Sequence, residues 1–444
     1  MAFLEKQQHP GDLNQSELPS GFKAGKKTSL ASSSGGNFKG YFSAERKWSF
    51  KKDDILDARG RRLFESTAMA CAADAYPFQA PLDGKTGPIV RTEGREMLML
   101  SSYDYLGLIG DPRIDEEAIE AVRKYGTGTG GARLLTGTLD LHHEVERDLA
   151  ALKGTEQALT FSSGYMANLG VITSLFGPAD RVILDALCHR SLLDACKMAG
   201  VQIQRFRHND MTSLRAELQG GDRANRTLII VDGVFSMDGD ICPLPDLIAI
   251  KKEFGCFLLV DEAHSIGVIG KTGRGTDEQF EIGPEGVDLW TGSLAKAIPS
   301  TGGFAAMSQE LAIYMQHAAS AFIFSAALSA PAASVIRRGI AILKAEPERV
   351  ARLQENATFL RTGLQSLGFD TALSETAVIP VLMGEDINAA VFARRLRDYD
   401  ILACPVIFPA VAQGAARLRL CVTAAHTTAQ LEYVLDTFQK LSKS

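Results

Sequence analysis

The chain has no two cysteines at Cys-x-x-Cys spacing, and its total is odd: Cys71, Cys188, Cys196, Cys242, Cys256, Cys404 and Cys421. A disulfide framework and the common zinc patterns are excluded, and the thiols read as those of a reduced, cytosolic enzyme. Positive charge is not in excess either, since 47 Lys and Arg against 53 Asp and Glu leave a net charge of −6. Nothing in that balance would attract nucleic acid or an anionic membrane. No uninterrupted apolar run reaches the roughly 18 residues that span a bilayer. The longest candidate, from Ala321 to Leu343, is broken by Pro331, Arg337 and Arg338, so no integral membrane segment is expected. The N-terminus lacks a basic patch followed by an apolar stretch, and it carries Glu5, Asp12 and Glu17. Neither a secretory signal nor a mitochondrial presequence is supported, and a cytoplasmic location is the expectation.

What is present is ordinary globular usage, 45% hydrophobic and 23% charged over 444 residues. That length exceeds what one core organises and implies two or three domains. Residues 1–43, with the run Leu30-Ala-Ser-Ser-Ser-Gly-Gly36, read as a flexible leader. Residues 44–95 read as a packed extension with one or two helices. From about residue 96 short apolar runs alternate with amphipathic segments. Strands are predicted at Gln157–Ser162, Arg181–Asp185, Gln202–Arg207, Thr227–Asp232, Cys256–Asp261, Asp288–Ser293 and Gly303–Ser308. Helices are predicted at His142–Lys153, Tyr165–Phe176, Ser191–Ala199 and Leu244–Phe254. This alternation predicts an α/β large domain over 96–335, a mostly parallel seven-stranded sheet between helices. A smaller α+β domain over 336–444 follows, with a helix at Pro347–Leu367 and strands near Val378–Met383, Ile401–Phe408 and Arg417–Val422. In sheets of this kind ligands sit at the carboxyl ends of the strands.

Gly126-Thr-Gly-Thr-Gly-Gly131 satisfies G-x-G-x-x-G but lacks a preceding strand and a following helix. It reads as a glycine-rich turn, with close approach of backbone to a ligand as the alternative. Asp261-Glu-Ala-His264 spells the acidic box of ATP-driven helicases, and Gly270-Lys-Thr272 resembles the end of a phosphate loop. That loop would need glycine five positions before Gly270, where Ser265 stands, and it would have to precede the box. A strand as apolar as Leu258-Leu-Val260 ending in Asp261 instead puts a carboxylate at the ligand edge of the sheet. A second apolar strand ends at Lys296. A lysine able to form a Schiff base and a carboxylate facing a pyridinium nitrogen are the two fixed demands of pyridoxal phosphate chemistry. Phe161-Ser-Ser-Gly164-Tyr165 is a strand, a turn and a helix start, which points N–H groups at an anion. Ser236 and Ser293 could complete that anion site or bond the ring. Cys188, His189 and His264 fit no common zinc spacing, so no metal is expected.

Together these residues resemble the α-oxoamine synthases, pyridoxal-phosphate enzymes of aminotransferase fold type I. The resemblance is carried by Ser102-Tyr-Asp-Tyr-Leu-Gly107, Arg133-Leu-Leu-Thr-Gly137-Thr, Ser163-Gly-Tyr-Met-Ala-Asn168, Phe235-Ser-Met-Asp-Gly239, Val260-Asp-Glu-Ala-His264, Gly292-Ser-Leu-Ala-Lys296 and Arg417-Leu-Arg419. It implies that Lys296 holds the cofactor and moves protons, that Asp261 pairs with the ring nitrogen, and that His264 bonds the ring hydroxyl. His189 would stack on the ring and meet the acyl oxygen. Gly164, Tyr165 and Ser293 would hold the phosphate, Ser325 would reach a neighbouring subunit's phosphate, and Ser236 would lie beside the ring. Arg419 would bind the amino-acid carboxylate. The implied reaction condenses an amino acid with an acyl-CoA or acyl-carrier-protein thioester, with loss of carbon dioxide, in a homodimer whose sites lie at the subunit interface.

Four positions depart from the family pattern. Tyr103 stands where many members have Asn, Ala132 where Ser or Thr is frequent, Pro299 where Gly is frequent, and Ala410 where some members have Thr. The expectation is that the amino donor is L-alanine or L-serine and not glycine. The competing readings are another pyridoxal enzyme of the same fold type, such as an aminotransferase or decarboxylase, a DEAH-box-like ATP hydrolase, and a catalytically dead structural relative. Retention of Lys296, Asp261 and His189 together argues against the last.

Overall fold

The computed structural model describes residues 55–72, 76–220 and 226–443. The leader expected over residues 1–43 lies outside them. The chain divides into two compact units, Met1–Tyr76 and Pro77–Ser444. In the first, a helix spans Ala58–Ala72, and Asp57 accepts a hydrogen bond from the Gly60 N–H at 2.7 Å.

The second unit opens with a hairpin of β1 (Ile89–Thr92) and β2 (Arg95–Met99). The large sheet then takes up β3 (Gln157–Phe161), β4 (Arg181–Asp185), β5 (Gln202–Phe206), β6 (Thr227–Asp232), β7 (Phe257–Asp261), β8 (Leu289–Ala295) and β9 (Pro299–Met307). Their order across the sheet is β3-β9-β8-β7-β6-β4-β5. Only β9 runs against its neighbours; the pairs β4/β5, β4/β6, β6/β7 and β7/β8 are parallel. Central strands such as Thr227-Leu-Ile-Ile-Val-Asp232 and Leu258-Leu-Val-Asp261 are buried along their length, as a sheet covered on both faces requires. One apolar cluster packs on one face around Trp290, Phe304 and Leu149, and another on the opposite face around Phe161, Leu192 and Met315.

The remaining strands are β10 (Val378–Gly384), β11 (Ile401–Leu402), β12 (Cys404–Val406) and β13 (Ala416–Cys421). β10, β13 and β12 form an antiparallel sheet backed by helices Glu348–Ser366, Asp386–Arg397 and Thr428–Ser442. The single strand expected at Ile401–Phe408 is two. β11 pairs parallel with β2, while Cys404–Val406 turns to pair with β13. Leu98 and Leu100 therefore bury themselves among Ile379, Leu418 and Phe438 of this smaller lobe. Helices Met211–Gln219, Gln309–Ala318 and Ala330–Ala345 also lie where no helix was assigned from sequence. Ala330–Ala345 starts at a Ser329 cap with Pro331 in its first turn, where a missing N–H costs nothing. It carries the apolar run noted above, and no helix among the described residues is long and apolar enough to cross a membrane.

The two lobes meet at the segment Ser236–Asp240. Gly239 has φ +74°, and its carbonyl accepts from Thr376 Oγ1 at 2.9 Å and the Glu375 N–H at 3.0 Å. A Cβ there would stand 1.9 Å from the Val378 carbonyl oxygen, so only glycine fits.

Candidate active site

At the carboxyl edge of the large sheet lies a cavity of ≈ 220 Å³ lined by Gly164, Tyr165, His189, Asp261, His264, Ser293 and Lys296, with Asn168, Ser191 and Asp232 on its walls. Each element delivers its side chain by a local rule. β7 is apolar until it ends, and Asp261, 5% exposed, stands at its tip. Lys296 follows β8 directly, in the turn that closes onto β9 through the Ala295–Pro299 pairing. Helix Gly164–Leu175 is capped by Ser163, whose hydroxyl accepts from the Met166 N–H at 3.1 Å. The N–H groups of Gly164 and Tyr165 come before the first intrahelical bond and belong to the cavity wall. β9 passes directly beneath that helix start, and a Cβ on Gly303 would lie 2.4 Å from the Gly164 nitrogen.

The electrostatics are set by burial among few compensating charges. Burial draws the Lys296 ammonium down to about 8, although Asp261 and Asp232 pull the other way. Burial, then Lys296 and Arg419, hold the His264 imidazole well below its usual pKa, so it is neutral at pH 7. Its Nδ1 is 2.8 Å from the Tyr105 hydroxyl. His189 is exposed through the cavity mouth, yet crowding by protein, with Lys296 acting the same way, lowers its pKa too. Asp232 pairs in register with Asp261, and burial together with that carboxylate pushes the Asp232 acid well above the usual range. Both Asp232 oxygens lie 3.2 Å from the His189 N–H.

Arg419 and Tyr103 stand just outside this lining. The Arg419 guanidinium, 8% exposed on β13, lies 4.6 Å from the centre of the Tyr103 ring and donates to the Ser236 carbonyl at 3.3 Å. Lys296 Nζ is 5.9 Å from the centre of the same ring, so both cations lie near it. Ser236 is buried in the segment between the lobes and not on the cavity wall. Ser325 and Ala132 lie elsewhere. Ala132 bridges Ala326 across two loops, and Ser325 lines a separate small recess with Arg133 and Phe322. Among the described residues no group of acidic, histidine and cysteine side chains could hold a metal ion.

Sequence reasoning passed over Asn168, Ser191 and Asp232 as site residues. Asp232 carried the same signal as Asp261, an apolar strand ending in an acid. Ser191 carried none and Asn168 only its place at the end of the Ser163–Asn168 motif, because their role is visible only once two helix starts are side by side: Asn168 Nδ2 donates to Asp261 Oδ2 at 2.7 Å and to Ser191 Oγ at 2.9 Å.

The family described as aminotransferase class I and II matches residues 95–438. An 8-amino-7-oxononanoate synthase of Symbiobacterium thermophilum is 42% identical over 352 residues, covering 79% of this chain and 90% of that one. A serine palmitoyltransferase of Bacteriovorax stolpii is 36% identical over 383 residues, covering 86% and 91%. Among solved structures, a serine palmitoyltransferase variant from S. paucimobilis with bound PLP–myriocin aldimine superposes with a TM-score of 0.85 at 33% identity, covering 88% of this chain and 98% of that one. The chain belongs to the aminotransferase class I and II family and, within it, to the α-oxoamine synthases.

Proposed function

We propose that the protein is a pyridoxal-phosphate-dependent C-acyltransferase that joins the α-carbon of an amino acid to the carbonyl of an acyl thioester. The thiol leaves, the amino-acid carboxylate departs as carbon dioxide, and the product is an α-amino ketone. One observation carries the reading: an amine, a buried carboxylate, two neutral imidazoles and a helix N-terminus face a single cavity. That donor set fits pyridoxal phosphate. The helix start and Ser293 suit the phosphate, Asp261 suits a protonated ring nitrogen, and the Gly303 approach keeps the helix start clear of side chains. When bound, the cofactor supplies an electron sink at the substrate α-carbon.

The chain's own residues do the rest. Lys296, drawn down to about 8, holds the cofactor and exchanges the α-proton at near-neutral pH. His264 donates to the ring hydroxyl. His189 meets the acyl oxygen as negative charge develops on it. Arg419 takes the amino-acid carboxylate with its planar fork, and the Tyr103 ring beneath it sets where that carboxylate rests. With Tyr103 where many relatives carry Asn, the site suits L-alanine or L-serine over glycine, and the thioester is carried by CoA or an acyl carrier protein. The working form is a homodimer in the cytoplasm. Its support is the apolar face made by Leu135 and Phe324, 77% and 84% exposed, on the loops that the Ala132–Ala326 bridge joins, beside Ser325. The seven cysteines form no disulfide among the described residues, which suits a reducing compartment.

The test is a matrix of amino acids against acyl-CoA and acyl-carrier-protein donors, with mass detection of the amino ketone and titration of released thiol. L-alanine or L-serine should perturb the cofactor absorbance and give product. Perturbation by glycine alone sinks the donor assignment, and product without thiol release sinks the reaction class.

A further inference from the structure

Beneath the cavity a chain of three hydrogen bonds joins the carboxylate under the ring site to the imidazole above it. Asp261 Oδ2, Asn168 Nδ2, Ser191 Oγ and His189 Nδ1 follow one another at 2.7, 2.9 and 2.7 Å. Asn168 is 1% exposed and Ser191 is fully buried. The direction of each bond is fixed by what each atom can do. A carboxylate only accepts, so the Asn168 amide must turn its NH₂ toward Asp261, leaving its second N–H for Ser191 Oγ. The Ser191 oxygen then already accepts, and its own proton has His189 Nδ1 as its partner. The Ser191 main-chain N–H points at the same ring nitrogen from 3.3 Å. Nδ1 is thus met by two donors, and with a proton on Nδ1 the Ser191 hydroxyl would lose the acceptor its own proton has there.

We infer that Asn168 and Ser191 are positioning residues that lock His189 in its neutral Nε2–H tautomer, so that a fixed N–H donor faces the cavity. This rests on the reading of His189 as the group that meets the acyl oxygen. A ring protonated at Nδ1 would turn the Ser191 hydroxyl away and leave its buried proton without that acceptor, so the imidazolium is disfavoured as well. The other charged groups around the ring divide. Asp232 takes the His189 main-chain N–H, Asp261 and Asp194 favour protonation, and Lys296 opposes it. None of them can choose between the two ring nitrogens, and the serine can. An unlocked imidazole would spend part of its time with Nε2 as an acceptor, which repels a developing oxyanion.

The experiment uses the holoenzyme labelled with ¹⁵N-histidine, with His189→Asn assigning the resonances of the ring. In the wild type, Nδ1 should resonate as an unprotonated acceptor and Nε2 as a protonated nitrogen, unchanged from pH 6 to 8.5. Ser191→Ala, with cofactor absorbance intact, should mix the tautomers, lower kcat/KM for the thioester about tenfold and leave KM for the amino acid within twofold. Ser191→Thr should restore both signals. A wild-type ring protonated at Nδ1 overturns the inference whatever the variants do, as does a Ser191→Ala enzyme with unchanged tautomer and thioester kinetics. The reading beneath it is judged separately: if His189→Asn keeps thioester turnover, His189 does not meet the acyl oxygen, while the tautomer measurement still decides the lock.

Discussion

Replacing His208 by Gln should destabilise the protein by several kcal/mol at neutral pH and by almost nothing near pH 10. His208 lies beyond β5 and holds a carboxylate at each ring nitrogen, Asp185 at 2.9 Å and Asp240 at 2.8 Å, with its ring edge-on to Phe235 at 4.4 Å. Burial by itself would lower its pKa, but the two hydrogen-bonded carboxylates outweigh burial and push it up to about 10. A rise from the usual value of about 6.5 is worth roughly 5 kcal/mol at 1.36 kcal/mol per unit. Removing one partner from a buried charge cluster costs about 3–5 kcal/mol, in agreement. Because the folded pKa is the higher one, the stabilisation is complete below about pH 6.5. It then shrinks by about 1.4 kcal/mol per pH unit until it is gone near 10. Unfolding entropy near 2.1 cal/mol/K per residue makes roughly 1.3 °C of each kcal/mol in a body of this size, so His208→Gln should melt about 4–7 °C lower at pH 6.5. Differential scanning calorimetry of the two proteins across pH 6–10 reads this directly. A gap that is absent at pH 6.5, or that fails to close as pH rises, refutes the assignment of a buried imidazolium.

Lys296→Ala should lose the visible cofactor absorption and all detectable turnover; a spectrum like the wild type's would remove Lys296 from its proposed role. Lys153 is fully buried, 2.6 Å from Asp277 Oδ1, 3.6 Å from Glu262 Oε1 and 3.9 Å from the centre of the Trp290 ring. Lys153→Met takes the ammonium from buried Glu262 and leaves Asp277 with Arg274 alone, 2.9 Å from its Oδ2, and should cost about 3–5 kcal/mol by denaturant titration at pH 7. The deficit should narrow as pH falls and those acids take up protons, and a variant as stable as wild type at pH 7 contradicts this. Gly239→Ala adds a Cβ 1.9 Å from the Val378 carbonyl oxygen at φ +74°. It should lower the melting temperature and raise KM for the amino acid severalfold, because the same segment holds Arg419; unchanged values of both would uncouple the segment from the site.

The parallel core was legible because its strands are bounded by the chemistry that makes them. Arg181–Asp185, Thr227–Asp232 and helix Leu244–Phe254 lie where the apolar runs and their polar ends put them. The smaller lobe was less so. Ile401–Phe408 is continuous in hydrophobicity but changes sheets after Leu402, and only the long-range pairing of β11 with β2 makes that visible. The site divides in the same way. Lys296 and Asp261 announce themselves as polar ends of apolar strands and share one cavity. Ala132 and Ser325 came from motif matching and Ser236 from a hydroxyl in a turn, and none of them lines that cavity. His208 left no trace, since a His-Asn-Asp turn reads as a loop until Asp185 and Asp240 arrive from two other segments.

The acids at the strand ends explain why that histidine is needed. β6 and β7 end in Asp232 and Asp261, which pair directly across the strands, and β4 ends in Asp185 one residue out of step with Asp232, so three acids crowd one edge of the sheet. Unpaired carboxylates crowded into a buried edge would repel each other strongly. The edge removes the conflict from both ends. His208⁺ compensates Asp185 beside β5, Lys296 faces Asp261 from the β8–β9 turn, and Asp232 between them is pushed toward its neutral acid. Along the sheet edge the two cations thus stand at the ends, with the three acids between them. Asp261 faces the cavity as the group suited to a protonated ring nitrogen, and Asp232 stands beside it to receive the His189 main chain.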